Sequence, residues 1–211
     1  MVLERVIKGK LGAFFIDGPG GTGKTYLYRA ILAVVRLKGF IALATATLGV
    51  AASFLPGGRT AHSQFKIPVK AEENITCAIS KQSGTARLLR EVKIIIWDEA
   101  LMSKRQTMEA FQEMLQDIMD NGSQFGGKVI VFGSDFRQVL PVVPKGTSQK
   151  TINTSLVKSD LWPSLEKLKL TENVRAKFDQ SFCDYLLRIG DGIETVIIDD
   201  KIKLPPFMII P

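Results

Sequence analysis

The sequence is poor in the residues that build zinc sites and disulfides. It has one histidine, His62, and two cysteines, Cys77 and Cys183, with no CxxC pair. Zinc sites use histidine and cysteine ligands at short, regular spacings, which these three residues do not provide. We therefore expect two reduced, structural cysteines and no zinc site.

Long apolar runs are also missing. No stretch approaches the roughly 18 uninterrupted apolar residues of a transmembrane helix, so we expect no contact with a membrane. Residues 1–11 lack the apolar core of a signal peptide, so secretion is not expected. The apolar fraction of 45% and the length of 211 residues suit one α/β domain with a real core. The net charge of +7 permits binding to nucleic-acid phosphates without establishing it.

Predicted strands and helices alternate along the chain. Apolar runs bounded by turn residues predict buried strands, and apolar residues at three- and four-residue steps predict helices. The predicted strands are 13–16, 40–46, 92–97 and 128–132; the predicted helices are 24–38, 48–55 and one capped by Ser103, with Met108, Phe111, Leu115, Ile118 and Met119 on its apolar face. Residues 67–85 are predicted to be an irregular excursion, and residues from about 194 an extended tail containing Pro205-Pro206. The alternation predicts an α/β fold with a mainly parallel sheet, whose ligand lies at the carboxyl ends of the strands.

The strongest motif is a glycine-rich run after the first predicted strand. It reads Gly18-Pro19-Gly20-Gly21-Thr22-Gly23-Lys24-Thr25, which fits the P-loop pattern G-x-x-x-x-G-K-[ST]. Glycines let the backbone N–H groups point at phosphate oxygens, and the following helix adds its positive dipole end. Lys24 is then expected to reach the β- and γ-phosphates of ATP, and the Thr25 hydroxyl to bind Mg²⁺. A chance glycine-rich turn is the alternative, which the strand and helix around the loop disfavour.

A second motif ends a predicted strand in two carboxylates. The run Ile94-Ile95-Ile96-Trp97 is followed by Asp98 and Glu99, the pattern of a Walker B element. Asp98 is predicted to bind Mg²⁺, and Glu99 to polarise the attacking water as general base. The alternative is an acidic helix start, because carboxylates are favourable at a helix N-terminus.

Two further segments carry polar side chains that could approach the γ-phosphate. In the run 132–141, FGSDFRQVLP, Gln138 could hydrogen-bond both the γ-phosphate and the lytic water. In the run 170–175, LTENVR, Arg175 could stabilise charge on the transferring phosphoryl group. Taken alone, the first run could be an ordinary polar loop, and a surface arginine is the simpler interpretation of Arg175.

Together and in this order, these elements resemble the Pif family of superfamily 1B DNA helicases, relatives of RecD, and are most similar to its expanded plant branch. Residues 44–52 (ATATLGVAA) resemble motif Ia of that family, and residues 57–63 (GGRTAHS) resemble motif Ic. The resemblance covers about residues 12–192, and the runs GGRTAH and DFRQVLPVV are its specific parts. It implies a three-layer, RecA-like P-loop NTPase fold over residues 1–192. Residues 193–211 would be an extended tail leading towards a second motor domain.

The resemblance also implies a function. The chain is expected to be the first motor domain of a 5′-to-3′ ATP-dependent DNA helicase, using ATP and Mg²⁺ to move along single-stranded DNA in nuclear repair, recombination and telomere maintenance. The implied catalytic residues are Lys24, Asp98, Glu99, Gln138 and Arg175, with Thr25 and Asp98 as Mg²⁺ ligands. The residues implied to meet DNA are Thr47, Gly49, Thr60 and His62. The positive charge would then serve sequence-independent phosphate tracking; without the resemblance, His62 is better interpreted as a packing or helix-start histidine.

Several positions depart from the family pattern. The glutamine that reads adenine upstream of the P-loop has no counterpart here, which leaves adenine specificity without a predicted source. Leu48 stands where motif Ia has a small or hydroxyl residue, and Ser134 stands where glycine is usual. From the resemblance, we expect the second RecA-like domain to lie outside these 211 residues. Because such helicases work by closing a cleft between two domains, we expect a truncated motor that binds nucleotide weakly and does not unwind DNA alone.

Two other classes of protein stay open. A non-motor module would bind nucleotide and single-stranded DNA without turnover; the intact Asp98 and Glu99 disfavour it, and the truncation favours it. A small-molecule P-loop kinase or transferase would need an arginine-rich lid and an acceptor pocket. The sequence has the Ia-like and Ic-like runs in their place.

Overall fold

The structure is a computed structural model that describes residues 1–68, 75–138, 140–194, 196–198, 201–202 and 204. Its strands are β1 (Gly12–Asp17), β2 (Ala42–Ala46), β3 (Arg59–Thr60), β4 (Ile94–Asp98), β5 (Val129–Ser134), β6 (Glu166–Lys169), β7 (Val196–Ile198) and β8 (Lys201–Ile202). Its α-helices are α1 (Val2–Ile7), α2 (Lys24–Leu37), α3 (Gly49–Ser53), α4 (Ala61–Phe65), α5 (Gly84–Glu91), α6 (Arg105–Met119), α7 (Ser148–Thr154) and α8 (Gln180–Gly190). Short 3₁₀ turns lie at Ala100–Met102, Gln124–Gly127, Leu156–Lys158 and Trp162–Ser164.

Six strands form one sheet in the order β3-β2-β4-β5-β1-β6. Each pairing within this sheet is parallel. Parallel neighbours require crossover connections, and helices such as α2, between β1 and β2, and α6, between β4 and β5, supply them. The predicted α/β fold with a mainly parallel sheet is therefore confirmed.

Both faces of the sheet are covered, because side chains alternate along each strand. Phe14 and Ile16 of β1 belong to the core cluster that includes Leu32 of α2. Phe15 points to the opposite face and belongs to the cluster that includes Phe111 of α6. Full burial of an aromatic or branched side chain contributes about 2 kcal/mol. The two clusters thus hold helices on both faces and fix the three-layer arrangement.

The carboxyl ends of β1, β2, β4 and β5 meet at one edge of the sheet. Asp17 of β1 lies opposite Ser134 of β5, and Ala46 of β2 lies opposite Asp98 of β4. The P-loop, the two carboxylates and the loop after β5 all follow these strand ends. Ligands of parallel α/β sheets bind outside this edge, so the fold brings the sequence motifs to one place.

Some local structure differs from the sequence-based prediction. Ser103 does not cap the helix after it: α6 begins at Arg105 with Lys104 at the N-cap position. Ser103 Oγ instead lies 3.0 Å from Thr47 Oγ1. Residues 69–74 lie outside the described residues. The irregular excursion predicted over 67–85 ends before residue 85. It stops because Ser83 accepts a hydrogen bond from the Ala86 N–H and caps α5.

The final residues are only partly described. Strands β7 and β8 pair antiparallel, as an extended tail can. Pro205-Pro206 of the tail lies outside the described residues. Val139, in the run after β5, also lies outside them. Helices α1, α7 and α8 and strand β6 have no sequence-based prediction. Among the helices that the structure describes, none combines the length and apolarity needed to cross a membrane.

Candidate nucleotide site

The P-loop joins the end of β1 to the start of α2. Gly21 and Gly23 have φ angles of +92° and +83°, in the left-handed region that glycine enters without strain. Gly23 is the N-cap residue of the 14-residue helix α2. The free N–H groups and the positive dipole end of that helix therefore face the loop. This combination makes a ready site for phosphate.

Lys24 is the cation at the base of this loop. It is 8% exposed, and its Nζ donates to the carbonyl oxygen of Gly18. The pocket above it has a volume of about 430 Å³, within the range of small-ligand sites. Its lining residues are Pro19, Gly20, Gly21, Thr22, Gly23, Lys24, Thr25, Asp98, Glu99, Gln138, Val174 and Arg175. The structure thus places all the predicted catalytic residues around one pocket.

Asp98 and Glu99 lie side by side where β4 ends. Burial, followed by the charge of Glu99, raises the pKa of Asp98 to about 6. The Glu99 N–H donates to Asp98 Oδ1 at 3.0 Å and partly opposes that rise. Burial also raises the pKa of Glu99, against the opposing effect of Lys24. Poorly solvated carboxylates of this kind are suited to binding a cation and accepting a proton.

Glu99 has a backbone conformation that is rare for a residue with a side chain. Its φ is +53° and its ψ +41°. Such a conformation costs about 1–3 kcal/mol and persists only where the surroundings enforce it, which is common at active sites. Thr47 Oγ1 donates to the Glu99 carbonyl oxygen at 2.7 Å.

Strand β5 supplies small residues next to the carboxylates. A Cβ on Gly133 would lie 1.6 Å from Tyr28 Oη, so any other residue would clash with Tyr28 as it stands. Ser134, which stands where the resemblance leads one to expect glycine, does not have a positive φ. Its hydroxyl donates to Glu99 Oε2 at 3.4 Å. The serine is therefore compatible with the backbone and contacts the predicted general base.

Asp135 connects the P-loop to Gln138, a role that the sequence analysis missed. Its Oδ2 accepts from the Gly20 N–H at 3.0 Å and from Gln138 Nε2 at 3.3 Å. Its Oδ1 accepts from the Arg137 N–H at 3.0 Å. The available signal was a carboxylate directly after a buried strand, the same signal that identified Asp98.

The segment around Arg175 packs against the P-loop through its backbone. The N–H groups of Val174 and Arg175 donate to the Gly21 carbonyl oxygen at 3.0 and 3.2 Å. Asn173 Nδ2 donates to the Gly20 carbonyl oxygen at 3.3 Å, a second contact that the sequence did not indicate. The exposed Arg175 side chain therefore lies at the rim of the pocket.

The oxygen donors of the pocket fit Mg²⁺. This ion needs only one or two protein ligands besides waters and substrate phosphates. The Thr25 hydroxyl and the Asp98 carboxylate both line the pocket. Over the described ranges, no group of three or more His, Cys, Asp and Glu side chains could hold a metal without such help. A cation would also favour the ionised form of Asp98, whose pKa is raised.

A second groove, of about 240 Å³, contains some of the predicted DNA contacts. Its lining residues are Thr47, His62, Pro68, Ile75, Met102, Ser103, Lys104, Thr107, Pro141 and Val142. Thr47 and His62 are among these residues, whereas Gly49 and Thr60 are not. Gly49 and Thr60 lie beside each other, since a Cβ on Gly49 would be 3.9 Å from Thr60 Cγ2.

Two of the predicted DNA contacts also have structural partners. Thr60 caps α4 by accepting a hydrogen bond from the Ser63 N–H at 3.3 Å. His62 Nδ1 lies 3.3 Å from the Ile67 carbonyl oxygen, which can only accept, so Nδ1 is the donor. Contact of these residues with DNA stays a prediction.

Comparison with known proteins identifies the family. A model of the PIF1-like helicase family matches residues 1–198. The chain belongs to this family. The ATP-dependent DNA helicase PIF1 of Candida albicans is 31% identical over 201 residues, which are 90% of this chain and 22% of that protein. The ATP-dependent DNA helicase PIF3 of Trypanosoma brucei brucei is 30% identical over 191 residues, 89% of this chain and 22% of that protein.

Solved Pif1 structures share the fold. The crystal structure of Pif1 helicase from Candida albicans superposes with a TM-score of 0.77 at 29% identity, over 99% of this chain and 48% of that one. A Bacteroides Pif1 in complex with ADP-AlF₃ and ssDNA gives a TM-score of 0.74 at 20% identity, over 92% and 46%. The chain thus spans about a fifth of these curated relatives and about half of the solved chains. The resemblance to the Pif family and the P-loop NTPase fold that it implied are confirmed.

Within this PIF1-like chain, the predicted residues form two groups. The P-loop, Asp98, Glu99, Gln138 and Arg175 surround one pocket. The second group, at motifs Ia and Ic, lies around the separate groove and the start of α4. Thr47, from the second group, directly contacts two residues of the first, Asp98 and Glu99.

Proposed function

We propose that this chain is the first RecA-like motor domain of a 5′-to-3′ ATP-dependent DNA helicase, with residues 1–192 as the domain and residues 193–211 leading towards the second motor domain. The observation that carries the proposal is the convergence of the P-loop lysine, a buried and a half-buried carboxylate, a glutamine and an arginine on one pocket. A small-molecule kinase would not need the glutamine, and a plain nucleotide-binding module would not need the general base.

The proposed reaction is attack of water on the γ-phosphorus of ATP. Lys24 and the P-loop N–H groups hold the β- and γ-phosphate oxygens, and Gln138 orients the water. Glu99 takes the proton of that water as the new P–O bond forms and the bond to ADP breaks. Arg175 stabilises the charge on the transferring phosphoryl group. Mg²⁺, held by Thr25 and Asp98, would neutralise part of the phosphate charge.

The DNA part of the proposal rests on the groove beside the site and on the net charge of +7. A positively charged chain tracks single-stranded nucleic acid through its phosphates, with strong dependence on salt. The relatives named above are ATP-dependent DNA helicases, which favours DNA over a small-molecule acceptor. Nuclear location and work in repair, recombination and telomere maintenance belong to the proposal as properties that the family implies.

The experiment is to measure nucleotide binding and hydrolysis separately. A fluorescent ATP analogue with Mg²⁺ reports binding, and phosphate release reports turnover. The wild-type chain should do both; Lys24→Ala should lose binding, and Glu99→Gln should bind nucleotide but lose turnover by about 100-fold or more. Binding by the wild-type chain without any turnover would replace this proposal with the non-motor nucleotide- and DNA-binding module. Binding unaffected by Lys24→Ala would refute the site itself.

A further inference from the structure

Glu99 is held in an unusual backbone conformation directly after β4. Its φ of +53° puts the residue after β4 in the left-handed region, where a non-glycine residue stays only if its neighbours fix it. The peptide unit of Glu99 therefore needs a partner that holds its carbonyl group. Within β4 itself none is available, because the strand ends at Asp98.

The Met102 N–H of the following 3₁₀ turn donates to the Glu99 carbonyl oxygen at 3.2 Å, and Thr47 is the partner from outside that turn. Its hydroxyl donates to the Glu99 carbonyl oxygen at 2.7 Å, and its backbone N–H donates to the Asp98 carbonyl oxygen at 3.0 Å. Thr47, the residue directly after β2, thus donates hydrogen bonds to the carbonyl oxygens of both Asp98 and Glu99. A shift of Thr47 would be transmitted directly to Glu99.

The Thr47 hydroxyl is itself fixed by two further contacts. Trp97 Nε1 donates to Thr47 Oγ1 at 3.0 Å, and Ser103 Oγ lies 3.0 Å from the same atom. A hydroxyl has one proton and two lone pairs. The proton goes to Glu99, and the lone pairs accept from Trp97 and Ser103, so no donor remains for a DNA phosphate.

Thr47 also lies between the phosphate pocket and the groove described above. It lines the groove together with Ser103 and His62, whereas Glu99 lines the phosphate pocket. We propose that the Thr47 hydroxyl is a positioning group for Glu99. Through this hydroxyl, the residues that line the groove determine where the general base lies. The inference rests on the proposed role of Glu99 in ATP hydrolysis.

The test compares Thr47→Val, Thr47→Ser and a matched control, Thr45→Val. Thr45 is buried two residues earlier on the same strand, and its hydroxyl donates to the Ile96 carbonyl oxygen at 2.9 Å. Both valine variants therefore remove one hydroxyl-to-carbonyl bond between β2 and the β4 segment. Only the Thr47 bond ends on Glu99.

The expected result is a specific loss of kcat. Thr47→Val should lower kcat about ten- to 100-fold, with KM for ATP and the Kd for oligo(dT) within about twofold of wild type. Thr47→Ser, which keeps the hydroxyl, should restore kcat to within about threefold. Thr45→Val should lower the Tm and leave kcat unchanged. If Thr47→Val bound oligo(dT) more weakly but kept its basal turnover, the inference would be overturned and Thr47 would be a DNA contact. If both valine variants lost kcat equally, Thr47 would only stabilise the fold.

A second readout does not require turnover. The chain has two tryptophans, so ¹⁵N labelling of indole gives two NMR signals, and Trp162→Phe assigns the one from Trp97. A non-hydrolysable ATP analogue with Mg²⁺ should shift the Trp97 Nε1–H signal in wild type and Thr47→Ser. The same analogue should bind Thr47→Val with similar affinity without that shift. The inference would be contradicted if Thr47→Val kept the shift, or if wild type bound the analogue without showing the shift. Failure of the wild-type chain to bind the analogue would refute the proposed function instead.

Discussion

Replacing Asp98 with asparagine should stabilise the nucleotide-free protein at neutral pH, although it removes a proposed Mg²⁺ ligand. The pKa of Asp98 is about 6 in the fold against an ordinary 3.8, mainly because burial disfavours the charged form. A folded pKa above the unfolded one means that ionisation opposes folding. The free energy of unfolding therefore decreases as Asp98 ionises, while the pH rises from about 3.8 to about 6. At about 1.4 kcal/mol per pKa unit, the loss reaches about 3 kcal/mol above that window.

Asparagine keeps the shape of the side chain and removes its charge. At pH 7.5, Asp98→Asn should unfold roughly 6–12 °C above wild type, taking about 2–4 °C per kcal/mol for a chain of this size. At pH 4.5 the difference should fall to about 1 kcal/mol, because much of wild-type Asp98 is then protonated in the fold. Thermal unfolding followed by circular dichroism at both pH values, without nucleotide or divalent cations, gives the comparison.

Asp120 provides the control for this prediction. It is exposed, and a hydrogen bond from Lys81 lowers its pKa, so Asp120→Asn should not stabilise the protein at pH 7.5. A Tm of Asp98→Asn below that of wild type at pH 7.5, or an equal gain at both pH values, would refute the reasoning. Mg²⁺ with ATP should then stabilise wild type more than Asp98→Asn.

Three further predictions concern residues around the same pocket. Tyr28→Phe should increase the free energy of unfolding by about 1 kcal/mol in urea titrations, because Tyr28 Oη is buried without a hydrogen-bond partner among the residues that the structure describes. Gly133→Ala should destabilise by about 3 kcal/mol, since its Cβ would meet Tyr28 Oη at 1.6 Å; Gly84→Ala, with nothing within 4 Å, should not destabilise. Arg175→Ala should lower kcat for ATP hydrolysis about 100-fold, with a much smaller change in nucleotide affinity.

Each of these has a contrary result that can be measured. A less stable Tyr28→Phe variant would mean that the phenol has a favourable contact in solution. Equal losses of stability in Gly133→Ala and Gly84→Ala would mean that Tyr28 moves aside. A parallel loss of nucleotide affinity and kcat in Arg175→Ala would place the arginine on the bound ATP rather than on the transition state.

The sheet and the pocket were predictable because their signals are local. Strand β4 is an uninterrupted apolar run that ends in carboxylates, and a buried parallel strand requires such a run. The P-loop combines glycines and a lysine at a fixed spacing between a strand and a helix. Once strands are parallel, their carboxyl ends must share one edge, so the grouping of Lys24, Asp98 and Gln138 follows from topology.

The elements without a prediction depend on contacts that are distant in sequence. Strand β6 reads Glu-Lys-Leu-Lys and has no apolar run; it forms as an edge strand through pairing with β1. Helix α8 has an apolar face that is only partly covered, with Leu186 44% exposed. A strand as short as β6 carries little periodicity for sequence reasoning to detect.

The same reason explains the site residues that sequence analysis missed. Asp135 and Asn173 act through backbone groups of Gly20, more than a hundred positions away in sequence. The predicted cap at Ser103 failed because its hydroxyl is engaged with Thr47 instead. Polar side chains near a helix start have several possible partners, and only the folded chain selects among them.

The measurement that most directly tests the central claim is the effect of single-stranded DNA on ATP hydrolysis. Phosphate release by the purified chain would be followed with and without oligo(dT), at low and high salt, with Lys24→Ala as the blank. The account predicts turnover that rises with oligo(dT), more at low salt than at high salt, and that is absent from the blank. Turnover that ignores DNA, or persists in Lys24→Ala, would contradict the assignment of this pocket to a DNA-dependent motor.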